Sequence, residues 1–146
     1  MLLAACVSST NAVVEKGKGS REGVLPLRLT IGVTCKQSLD TARQWIESYS
    51  LITAEKVLLN AYNNDCVSGY EKAQLQRLMA YVMSAQKKYA AAIDAYQYVV
   101  DSKYLDLLTR SEAVYTLAQI RFVTEDYEAV VDSIYQGLKN DLLLNA

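Results

Sequence analysis

The chain of 146 residues is long enough for one domain with a core that folds unaided, and 51% hydrophobic residues with a net charge of -1 is ordinary globular composition. So even a charge balance disfavours nucleic acid as a partner, because binding by phosphate neutralisation needs a surplus of Lys and Arg. Histidine is absent, which excludes Ser-His-Asp and Cys-His catalysis and every His-based zinc site, and the three cysteines at 6, 35 and 66 form no CxxC pair, so neither a metal nor a cofactor is expected.

In chain order, the first feature is MLLAAC. Leu3-Ala4-Ala5-Cys6 resembles the lipobox of bacterial lipoproteins, which implies lipidation at Cys6. A secretory signal needs a basic stretch and an apolar run of about 7 to 15 residues before its cleavage site. Only Met1 to Ala5 precede the cysteine here, so this reading requires further signal sequence upstream. No apolar run approaches the length of a spanning helix, which leaves a lipid anchor as the expected route to a membrane. Residues 7–23, rich in Ser, Gly and charge, read as a flexible linker. Over residues 24–34, Leu25, Leu27, Leu29, Ile31 and Val33 alternate with Pro26, Arg28, Thr30 and Gly32, the period of an extended, strand-like segment with one apolar face. Pro26 confines it to an edge position, where it packs on its own helices or pairs with a partner's sheet edge.

Residues 35–146 contain no proline and carry a helical apolar period. The pattern predicts helices near 36–48, 51–62, 69–85, 88–101, 105–122 and 126–140. Ala42, Ala80 and Ala118 stand 38 residues apart, as do Ala54, Ala92 and Val130; the same offset relates Leu51, Tyr89 and Tyr127, and Leu58, Tyr96 and Ile134. Four such columns indicate three copies of a helical hairpin, with small residues where two helices cross closely. A hairpin cannot bury its apolar face alone, so the copies must stack.

These columns resemble the tetratricopeptide repeat in their order of small, aromatic, small and bulky positions. The resemblance implies an all-α, right-handed superhelical array of three hairpins. The chain departs from that family in its period of 38 against the usual 34, in lacking the family's proline, and in carrying its tryptophan, Trp45, at a shifted place.

Cys35 opens the first predicted helix and Cys66 lies in the loop NNDCVSG after the second, the two being equidistant from the turn at Tyr49, Ser50 and Leu51. In an antiparallel hairpin that symmetry makes them neighbours, so a Cys35–Cys66 disulfide is expected. Such a bond persists in an oxidising compartment. Lipidation of Cys6 would then account for the odd cysteine.

In stacked tetratricopeptide repeats the first helix of each pair lines a partner-binding face. Carried onto this chain, the resemblance places Arg43, Arg77, Tyr81, Tyr115, Gln119 and Phe122 in a groove of cations and aromatics, residue types that dominate interface hot spots. The bland alternative for Tyr115 and Phe122 is packing against a neighbouring unit. The lysine and asparagine clamp of co-chaperones is missing, which disfavours that role.

Residues 70–138 carry a closer likeness. Tyr70 to Ala73 (YEKA) and Leu117 to Gln119 (LAQ) are similar to elements of the periplasmic tetratricopeptide proteins that accompany TonB energy-transduction systems. The likeness implies a noncatalytic scaffold, lipid-anchored in the periplasm, holding a segment of another envelope protein. The alternative within that class is a lipoprotein for outer-membrane protein or pilus assembly. The rival from another class is a cell-wall enzyme working through paired carboxylates such as Glu47 and Glu55 or Asp101 and Asp106.

Overall fold

The computed structural model describes residues 29–140 and 142, and these form six helices in a repeat-like array. They are α1 (Val33–Glu47), α2 (Leu51–Asn64), α3 (Gly69–Ala85), α4 (Tyr89–Asp101), α5 (Leu107–Val123) and α6 (Tyr127–Lys139). Each packs on its neighbours in sequence, and α1 also touches α3. No strand forms among the described residues. Cys6, the linker and the first part of the strand-like segment lie outside them. Of that segment, Leu29 to Gly32 belong to no regular element, with Ile31 half-buried against the first core, while Val33 and Thr34 already belong to α1, three residues earlier than the sequence predicts.

The helices exist because their apolar residues fall on one side. In α1 the buried set is Cys35, Leu39 and Ala42, and in α2 it is Ala54, Leu58 and Ala61, spacings that keep one stripe against the partner helix. The middle helices α3 and α5 have neighbours on two sides and bury more, including Leu75, Met79, Ala80 and Val82 in α3 and Val114, Leu117 and Ala118 in α5. Two cores result. One joins Leu39, Leu58, Leu75 and Val82 across the first two hairpins; the other joins Val99, Leu105, Val114, Leu117 and Leu142 across the last two. Ile93 and Tyr96 pack on both, which makes α4 the seam between them.

The 38-residue period is written into the backbone. The first helix of each hairpin ends in a residue at positive φ, Tyr49 at 58°, Lys87 at 59° and Glu125 at 62°. At each turn one amide reaches back five residues, Ser50 to Trp45, Lys88 to Met83 and Asp126 to Arg121, at 2.8–2.9 Å. A second reaches back three, Tyr49 to Ile46, Lys87 to Ser84 and Glu125 to Phe122. This is the Schellman arrangement, which satisfies the last carbonyls of a helix while reversing the chain. None of the three αL positions is glycine, so each turn holds a side chain in a conformation that costs roughly 1 kcal/mol.

Helix starts are fixed by side chains where the sequence supplies them. Ser68 and Glu71 form a reciprocal capping box on α3, Asp106 caps α5 through the Thr109 amide at 2.8 Å, and Asp126 caps α6 through the Ala129 amide at 3.2 Å. Gly69, the first residue of α3, has a packing reason for its identity: a Cβ there would overlap the Tyr104 ring from the link between α4 and α5.

Candidate functional site

The open end of the first hairpin is tied by a covalent bond and a side-chain hydrogen bond. Cys35 and Cys66 form a disulfide, with Cα atoms 4.8 Å apart, as the symmetry about the first turn predicts. Beside it, the Ser38 hydroxyl donates to Asp65 at 2.6 Å, linking α1 to the end of α2.

Glu71 continues this node into the second hairpin. Its carboxylate is buried and accepts three backbone amides, Gly32 at 2.7 Å, Ser68 at 2.8 Å and Val67 at 2.9 Å. Gly32 is the cap of α1 and Ser68 the cap of α3, so one carboxylate serves the positive ends of two helix dipoles. These amide bonds, led by Ser68 and then Gly32, hold the Glu71 carboxyl below the usual range for glutamate. Glu71 lies in the YEKA element, and its task here is structural.

Two of the predicted partner-binding residues come together between α3, α4 and α5. Arg77 and Tyr81 line a cleft of about 180 Å³ with Tyr96, Thr109, Glu112 and Thr116. That is smaller than the roughly 300 Å³ at which small-molecule sites begin. It has room for a side chain or chain end, presented to a cation, a carboxylate and two phenols. Burial, then the neighbouring Tyr81, pushes the Tyr96 phenol above its ordinary value. Asp106, the cap of α5, is held below the usual carboxylate range, chiefly by the Thr109 amide and hydroxyl, with the Arg77 charge adding to the effect.

Tyr115, Gln119 and Phe122 stand elsewhere. They line a groove of about 510 Å³ between α5 and α6, with Ala118, Val123 and Ile134. Tyr115 and Phe122 are 54% and 59% exposed, so no neighbouring unit among the described residues packs against them. Arg43 belongs to neither place. It is exposed on α1 and paired with Asp40 at 2.6 Å.

The carboxylates considered for acid-base work have other partners in part. Glu55 receives Lys88 at 2.6 Å and Gln86 at 2.8 Å, which tie α2 to the second turn and hold its carboxyl below the usual range. Asp106 is occupied as a helix cap, and Asp101 accepts from Gln97 on its own helix at 3.0 Å. Among the described residues, no group of three or more His, Cys, Asp and Glu side chains could hold a metal ion.

No protein-family profile, curated protein or solved structure matches the chain.

Sequence reasoning predicted the last helix near 126–140 but named none of its residues for a partner surface. Its two buried side positions are the small residues Ser133 and Gly137, whereas Tyr127, Val131, Ile134, Tyr135 and Leu138 are all exposed. The usable signal was their spacing together with their place in the final repeat, which has no following hairpin among the described residues to cover it.

Proposed function

We infer that the chain is a noncatalytic protein-interaction scaffold of tetratricopeptide type, its three hairpins stacked in a right-handed superhelix. The observation that carries this reading is the cleft of Arg77, Tyr81, Tyr96 and Glu112. It lies among α3, α4 and α5, and half-exposed aromatics beside an exposed guanidinium are residue types that anchor bound segments. The occupant is a segment of another envelope protein, its acidic or C-terminal carboxylate facing Arg77 and an apolar side chain against Tyr81.

The cysteines bear on the cellular setting. The Cys35–Cys66 disulfide supports an oxidising compartment, and the lipobox-like start supports a periplasmic protein tethered through Cys6. The YEKA and LAQ elements support a role beside a TonB-type transport system.

A photo-crosslinking residue at Tyr81 in envelope-expressed protein tests the site. The expected result is capture of an envelope component that disappears in an Arg77→Ala variant of unchanged thermal stability. Capture of nothing from the envelope, or capture indifferent to Arg77→Ala, overturns the assignment. A free thiol at Cys35 and Cys66 in envelope material would remove the compartment from the reading.

A further inference from the structure

We propose that α6 pairs antiparallel with α6 of a second copy, making a two-fold dimer. Tyr127, Val131, Ile134 and Leu138 follow one another at spacings of four, three and four residues, the period of a coiled-coil seam. All four are open to solvent, at 56%, 69%, 41% and 41%. Phe122 and Val123 extend the apolar face onto α5, with the Phe122 ring edge-on to Tyr127 at 5.5 Å.

The molecule shows what this face does when it has a neighbour. One period earlier the same four positions are Tyr89, Ile93, Tyr96 and Val100 on α4, and each is buried or half-buried in the cores that α4 shares with α3 and α5. The seam on α6 is thus a stacking face whose sequence kept its apolar character and whose covering helix is missing from the described residues.

Self-complementarity selects a second copy. The four seam positions are symmetric about the centre of the stripe, so antiparallel pairing sets Tyr127 against the other copy's Leu138 and Val131 against its Ile134. Charge chooses the same orientation. Asp126 and Glu128 crowd the start of α6 and Lys139 stands at its end, so antiparallel helices bring each acidic end to a lysine, whereas parallel ones would join like ends; the exposed Asp132 near the centre of the stripe opposes its own copy in either orientation. Head-to-tail stacking is the less favourable match, because among the described residues α1 sets Lys36, Asp40 and Arg43 in exposed ion pairs beside its exposed Val33 and Trp45. A closed two-fold contact fits the stripe better.

Analytical ultracentrifugation of the full oxidised chain over a micromolar concentration series is the test. A dimer is expected for the unaltered chain and for Ile52→Lys, a control at an equally exposed apolar residue on α2. Val131→Lys, on an outward side chain with little folding cost, should raise the dimer Kd by about 100-fold or more at unchanged helicity. A monomer in the unaltered chain, or a dimer untouched by Val131→Lys, overturns the proposal. A nitroxide at Lys139 reports orientation: antiparallel helices hold the two labels about 20 Å apart along the axis, and a label pair in near contact would refute that arrangement.

Discussion

In the first hairpin, α1 and α2 are tied at their open end by a disulfide, joined to α3 through Glu71, and packed so that Leu39, Leu58 and Ala61 see no solvent. In the third, α5 and α6 are held by Arg121 donating to the Ala129 carbonyl and the Ser133 hydroxyl, and the large residues of α6 face outward. Both hairpins turn through the same Schellman geometry at the same register. Local backbone geometry therefore repeats with the sequence period, whereas burial depends on what lies next door. In a quasi-one-dimensional array this difference should appear as unequal local stability.

The largest test removes the tie. Replacing both Cys35 and Cys66 by serine should cost about 3 to 4 kcal/mol on the chain-entropy account of a loop of this length, read by urea denaturation without reductant. Hydrogen exchange should accelerate in α1 and α2 and stay unchanged in α5 and α6. Equal acceleration in all six helices would show one cooperative unit and erase the contrast between the two ends.

Glu71→Gln should cost about 2 kcal/mol. Its three amide donors need two acceptor oxygens, and an amide side chain turns one of them into a donor. The folded carboxyl sits below its unfolded value, so its contribution is fully present above that unfolded value near pH 4.3. It is lost as pH falls through the folded value. The stability gap between the unaltered chain and Glu71→Gln should accordingly be level at neutral pH and close below about pH 4; a gap that persists at pH 2 would assign the effect to packing instead.

Gly69→Ala should destabilise by about 1 to 2 kcal/mol through overlap with the Tyr104 ring. In a Tyr104→Ala background the same change should be neutral or favourable, since alanine is the better helix former. Persistence of the penalty there would locate it in the α3 backbone.

The smallest effects sharpen the shared part of the comparison. Tyr49→Gly, Lys87→Gly and Glu125→Gly should each stabilise by about 0.5 to 1 kcal/mol, because each relieves the same αL position. Thermal denaturation should show similar gains at the two ends, in contrast to the unequal response to cysteine removal.

Much of this was legible in the sequence. The ends of α3, the starts of α2 and α3, and the pairing of Cys35 with Cys66 followed from apolar period and from symmetry about a turn, both properties of neighbours in the chain. Glu71 was less legible, because its bond to Gly32 spans 39 residues and depends on how two hairpins dock. The partner groove expected from Arg43 to Phe122 divides for a similar reason. The same helix phase sets Arg77 and Tyr81 in a cleft with α4 and α5, and their equivalents Tyr115 and Gln119, with Phe122, in a groove with α6. Sequence period gives equivalent positions, and only the surrounding elements decide whether an equivalent position is core, cleft or open face.

The regular interval of the three turns has a further consequence. The link from each Schellman turn to the next always spans the same length of chain and ends at the same dihedral angles. Duplicating or deleting one such length would carry the flanking helices over intact, changing reach without redesigning a joint. The number of hairpins is then an adjustable quantity, like the number of links in a chain.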